Sequence, residues 1–122
     1  MIGKFTKNIT PVVELELTLA SEAKAEGSVN VDFTHLENAH VLGQESTYWH
    51  VRVHVLMLFW AFRNSRLKEF LGQLFRIIGA ATKTVFGLVP QGNTGGANVS
   101  PFKVMAIHPE HQKIINEAKS GC

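Results

Sequence analysis

From Tyr48 to Phe62 the chain runs fifteen residues without a glycine or a proline, and it is apolar on nearly every side. Two readings compete. Val51, Val53 and Val55 alternate with His50, Arg52 and His54, the period-two pattern of a strand. Strands are usually only about 5–6 residues long, so an uninterrupted stretch of this length reads better as a helix. A helix that is apolar nearly all round belongs in the middle of its fold. The rest of the chain must then supply the helices that cover it.

Hydrophobic periodicity supplies them. Thr10 and Pro11 make a helix start, a hydroxyl to cap and a proline where no N–H is needed. Val12, Leu15, Leu19 and Ala23 follow at helical spacing and Gly27 stops the run, so a helix is expected over 11–26. A second is expected from Asn30 or Asp32 to Leu42, with Leu36 and Ala39 inward and Gly43 at its end. Arg63-Asn64-Ser65 is a tight link into a fourth helix over 66–86, built on Leu67, Phe70, Leu71, Leu74, Ile77 and Ile78. Residues 87–103 are a Gly-rich loop, and His108-Pro109-Glu110 opens a short helix to Lys119. The expected architecture is all-α and one domain over 1–122. Two antiparallel helical hairpins form a four-helix array, with the loop laid back over them and a short C-terminal helix.

Composition excludes several classes. With 45% hydrophobic and 18% charged residues, the chain can bury a core and is not of the disordered class. Its only cysteine, Cys122, excludes an internal disulfide and fits a reducing, cytoplasmic setting. Glu14 and Glu16 interrupt the one early apolar run, so no secretory signal is expected. Val53–Phe62 falls short of the roughly 20 residues that span a bilayer. Residues 1–48 carry three Lys against seven Asp or Glu, a net of −4, and residues 49–122 a net of +6. The basic residues are spread singly, which argues against nucleic acid. Two oppositely charged halves can instead face each other, within one chain or across a homodimer.

Chemistry concentrates between His35 and Phe62. Glu37-x-x-His40 and His50-x-x-x-His54 are spacings that metal sites use, because positions three or four apart share one helix face. His50 and His54 differ by about 40° around the axis, and Glu37 and His40 by about 60°. If residues 43–47 fold the two helices back on each other, Glu37 lies level with His54, and His40 with His50. A set of Glu37, His40, His50 and His54 suits Zn, Fe(II) or Ni better than Ca or Mg. His35 lies about 140° from His40 and is left out. A di-iron bundle needs a second Glu-x-x-His, which the chain lacks. The same residues also make sense without metal, as a buried hydrogen-bonded network between apolar helices.

Two further features bear on the site. The run Gly92-Asn93-Thr94-Gly95-Gly96-Ala97-Asn98 offers backbone N–H groups that could cradle an anion. Alternatively it crosses the helix pair closely and acts as a lid on the histidine seam, with Asn93, Thr94, Gly95, Gly96 and Asn98 nearest. Arg52, between the two histidines, is an anion partner or a salt-bridge partner of Glu37 or Glu45. Trp49, Phe59, Trp60 and Phe62 are expected in the core.

Three strings stand in order: His35-Leu36-Glu37-x-Ala39-His40-x-Leu42-Gly43-Gln44, then His50-Val51-Arg52-x-His54, then Gly92 to Ser100. Together they resemble a family of short bacterial proteins known only as a domain of unknown function. The resemblance implies a compact helical protein of about this length and brings no activity, substrate or catalytic residue. The chain departs from it at Met105-Ala106-Ile107-His108, so His108 and His111 stay outside the site. Gly27 to Ala39 also resembles, more weakly, the second half of a tetratricopeptide unit, which repeats about every 34 residues.

Three function classes follow. The first is a small metal-binding protein using Glu37, His40, His50 and His54. The second is a non-enzymatic, tetratricopeptide-like interaction module with structural histidines and a protein partner. The third is a small hydrolase or lyase working at the seam.

Overall fold

The computed structural model describes residues 3–85, 94–96 and 104–121. Five helices account for most of them: α1 (Lys4–Ala25), α2 (Val29–Gly43), α3 (Thr47–Arg63), α4 (Leu67–Val85) and α5 (Pro109–Ser120). No strand occurs among the described residues, so the fold is all-α. None of these helices is long and apolar enough to cross a membrane. Most of the loop expected at 87–103 lies outside the described residues.

Helix α3 is central. It buries Trp49, Val53, Met57, Trp60 and Ala61, and fully burying an aliphatic side chain of this size is worth about 1.5–3 kcal/mol. These residues share one core with Ile9 and Val13 of α1, Leu36, Ala39 and Leu42 of α2, and Ile115 of α5. Helix α1 packs chiefly on α2, and α3 chiefly on α4. Both buried indoles are satisfied: Trp49 Nε1 donates to Thr10 Oγ1 at 2.8 Å and Trp60 Nε1 to the Val29 carbonyl at 3.1 Å. These bonds tie α3 to the helices on its other side. The link into α3 ends at Ser46, whose hydroxyl caps the helix by accepting from the Trp49 N–H.

Two expectations are corrected. Helix α1 begins at Lys4, seven residues before the Pro11 that was expected to start it. Pro11 has no N–H for the carbonyl of Lys7 and costs the helix that bond. Tertiary contacts outweigh the loss, because the first turns are anchored at three points. Ile9 is fully buried, Thr6 donates to Ser46 Oγ at 2.6 Å, and Asn8 donates to the Ala118 carbonyl at 3.0 Å. The second correction concerns the aromatic residues of α3. Trp49 and Trp60 are in the core, but Phe59 and Phe62 are exposed.

The link at 63–65 also carries an ion pair. Arg63 reaches back 3.2 Å to Asp32, which is itself buried near the start of α2. Burial pushes the Asp32 carboxyl above the usual carboxylate range, and the Arg63 guanidinium pulls it part of the way back.

Candidate metal centre

Helices α2 and α3 present three buried imidazoles to one point. His40 follows the Leu36–Ala39 core face of α2, and His50 and His54 lie one turn apart on α3. Each offers a nitrogen such that the three lie within 4.8 Å of one another. His40 Nε2 and His54 Nε2 are 3.1 Å apart. Two nitrogens bound tetrahedrally at the usual Zn–N length are separated by about 3.3 Å, so this pair already stands at ligand spacing. The His50 ring centroid lies 4.9 Å from that of His40 and 5.0 Å from that of His54. Closing the set around an ion asks for a shift on the order of 1 Å, within reach of a side-chain rotation.

The fourth helix contributes a residue that the spacing of α2 and α3 does not reveal. Gln73 of α4 is completely buried, and its Oε1 lies 2.5 Å from His54 Nδ1. Its amide nitrogen donates to the Gly95 carbonyl at 2.8 Å and to Glu69 Oε2 at 2.6 Å. Both of those partners are pure acceptors in these roles, so the amide has only one workable orientation. Its oxygen must accept from His54, which makes Nδ1 a protonated nitrogen of that ring. Its Nε2 is the nitrogen that faces His40. The two Nε2 atoms share one hydrogen bond. A second group that fixes the tautomer of a ligating histidine is the usual companion of a metal site.

Above His40 lies Gly95, with φ +85°. A Cβ there would stand 2.6 Å from His40 Cδ2, so the backbone lies directly on the ring because residue 95 has no side chain. The neighbouring Thr94 hydroxyl donates to Glu37.

The span 7–115 of the chain matches the family model described as protein of unknown function, DUF3703. The chain belongs to this family. The matched span of the DUF3703 chain includes all three histidines, Gln73, Glu69 and Gly95. No curated protein and no solved structure matches it.

Other residues of the DUF3703 chain take places that spacing alone does not give. Glu37 is not one of the three groups whose ligand atoms lie within 4.8 Å of one another. It faces Glu69 of α4 and Thr94, while His54 meets His40 and Gln73. The physical reason is the third helix at the seam: α4 inserts Gln73 where a two-helix picture would put the carboxylate. Arg52 donates to the Tyr48 hydroxyl at 2.6 Å, and Glu45 pairs with Lys119 at 2.8 Å, so the expected bridge from Arg52 to Glu45 is not what forms. The Arg52 guanidinium also lies over the Trp49 ring and on the rim of a cleft of about 310 Å³ between α1, α2 and α3, away from the histidines. His35 pairs with Glu16 of α1 at 2.9 Å. His108 caps α5 by accepting from the Glu110 N–H. Of the expected loop residues, Thr94, Gly95 and Gly96 are placed, while Asn93 and Asn98 lie outside the described residues.

Burial pushes the Glu37 carboxyl above the usual carboxylate range, and the Glu69 carboxylate pushes it the same way, with the Thr94 hydrogen bond opposing. An acid whose pKa rises on folding takes up a proton as it folds. Its contribution to stability is present below the ordinary value of 4.5 and is lost as pH climbs through the raised folded value. Metal-free protein should therefore gain stability from this group as pH is lowered from neutrality toward that window. Glu37→Gln should flatten the gain and be the more stable protein at neutral pH. Urea denaturation at a series of pH values, wild type against variant, measures both.

Proposed function

We propose that the chain binds one divalent transition-metal ion through His40, His50 and His54. The observation that carries this reading is the convergence of three buried imidazole nitrogens, one of them held by Gln73 in the tautomer a metal needs. Three imidazoles converging in a buried seam are a donor set that a divalent transition metal takes. Three imidazole nitrogens suit Zn, Fe(II) or Ni and disfavour Ca or Mg.

Three histidines leave a fourth position. Glu37, one turn before His40 on α2, is the residue that would fill it. The double positive charge then offsets the repulsion that Glu69 exerts on that carboxylate. Thr94–Gly96 closes the site over His40. Binding needs a bare nitrogen on each ring and an ionised Glu37, so protons on those groups compete with the ion and affinity should rise with pH.

Elemental analysis and calorimetric titration of untagged protein test the proposal. Wild type should take up one Zn, Fe(II) or Ni ion per chain, and the His50→Ala, His54→Ala double variant none. Wild type that holds no stoichiometric ion after reconstitution would contradict it and leave the three rings as a structural hydrogen-bond network.

A further inference from the structure

Helix α4 turns its polar side inward and its apolar side outward. The inner side is Gln73, with Glu69 and Arg76 beside it; Ile78 lies about 140° further round the axis. Leu67, Leu71, Leu74, Phe75 and Ile78 fall within about 100° of arc, and all five are exposed, Phe75 at 70% and Ile78 at 72%. Phe59 and Phe62 extend the same apolar surface onto α3, Phe62 at 73% exposure. The two helices are continuous there, since the Phe62 and Phe70 rings lie 6.2 Å apart between centroids.

We propose that this two-helix face joins two copies of the chain, α3 and α4 of one against α3 and α4 of the other. Area is the first argument. The seven exposed side chains come to roughly 800 Å², taking about 180–200 Å² for each when fully exposed. Monomers rarely show a contiguous apolar patch above about 300–600 Å². A standard protein interface takes about 800 Å² from each partner, so the face is sized for one interface of its own kind.

Charge placement gives the second argument and the orientation. Arg66 and Lys68 are exposed at the start of α4, next to Arg63, whose charge is paired with Asp32. A two-fold axis that sets the α4 helices antiparallel sends these clusters to opposite ends of the interface, where they stay in water on the rim. A parallel arrangement would bring the two clusters together. A helix that lies on a membrane instead carries Lys and Arg along its whole polar side. The polar side of α4 is committed to His54, Gly95 and Glu69. The joined faces make a four-helix layer that backs Gln73 from behind, so dimer and histidine cluster share one element without either requiring the other.

Sedimentation equilibrium in EDTA, which removes any metal-bridged association, tests this. Wild type at micromolar concentration should run at twice the 13.5 kDa chain mass. Phe75→Glu and Ile78→Glu, each at a position open to solvent in the monomer, should keep the helical circular dichroism and weaken dimerisation at least about 30-fold, the effect of losing one central interface side chain. Three results would overturn the proposal. One is a monomeric wild type that binds anionic vesicles through this face. Another is a monomer whose unfolding temperature falls sharply with both substitutions, which would mean that residues 86–103 of the same chain cover the face. The third is a dimer unaffected by either change.

Discussion

Gln73→Leu should lower the midpoint of thermal unfolding by roughly 10–20 °C, a large effect for a substitution that hardly changes volume. Leucine offers nothing to the Nδ1–H of His54 or to the Gly95 carbonyl, and both are enclosed where Gln73 now stands. Leaving a buried polar group without its partner costs about 1–3 kcal/mol, and two such groups bring the total to about 2–6 kcal/mol. The same variant should bind metal about 10–100-fold more weakly, because the acceptor at Nδ1 that sets the His54 tautomer is gone. Gln73→Glu separates the parts. It keeps an acceptor for His54, gives up both donated bonds, and sets a third carboxylate beside Glu37 and Glu69. Its stability loss should therefore shrink as pH falls, whereas that of Gln73→Leu should not. A leucine variant within about 1 kcal/mol of wild type would mean that the His54–Gln73–Gly95 chain is not holding these elements together.

The second large effect is expected at Gly95. Alanine there meets two penalties: a left-handed backbone, worth about 1–2 kcal/mol, and a Cβ driven into the His40 ring, for which overpacking costs of about 1–3 kcal/mol are typical. Gly27 is the natural control. It has φ +78° but nothing within 4 Å of its would-be Cβ, so Gly27→Ala carries the backbone penalty alone. The difference between the two variants reports the contact of residue 95 with His40. Metal affinity should fall in Gly95→Ala and stay unchanged in Gly27→Ala. Equal stability losses, with equal metal binding, would place residue 95 away from the ring.

Much of this site is legible in the sequence, and what is hidden has a physical reason. The pairing of His40 with His50 and His54 can be read from two facts: i, i+4 spacing on one helix, and a short link at 43–47 that brings the neighbouring helix back. Gln73 is hidden because α4 reads as an ordinary amphipathic helix, and the default is to turn its apolar stripe inward. The structure turns Glu69, Gln73 and Arg76 inward instead. Buried imidazole N–H groups need polar partners more than they need apolar cover. Glu69-x-x-x-Gln73, two polar residues one turn apart in an apolar helix, is the signal that would have pointed there. Glu37 goes astray for the same reason, since a picture of two helices leaves no room for a third. The start of α1 is missed on a different principle. Proline prefers the first turn of a helix, but that preference yields to the burial of Ile9 and the bonds from Thr6 and Asn8.

The most direct measurement of the central claim is X-ray absorption on the zinc-loaded protein. Three imidazole nitrogens at about 2.0–2.1 Å, with the multiple-scattering signature of histidine rings and one further light ligand, are the expected result. A zinc shell of oxygen ligands only, unchanged in the His50→Ala, His54→Ala variant, would contradict it.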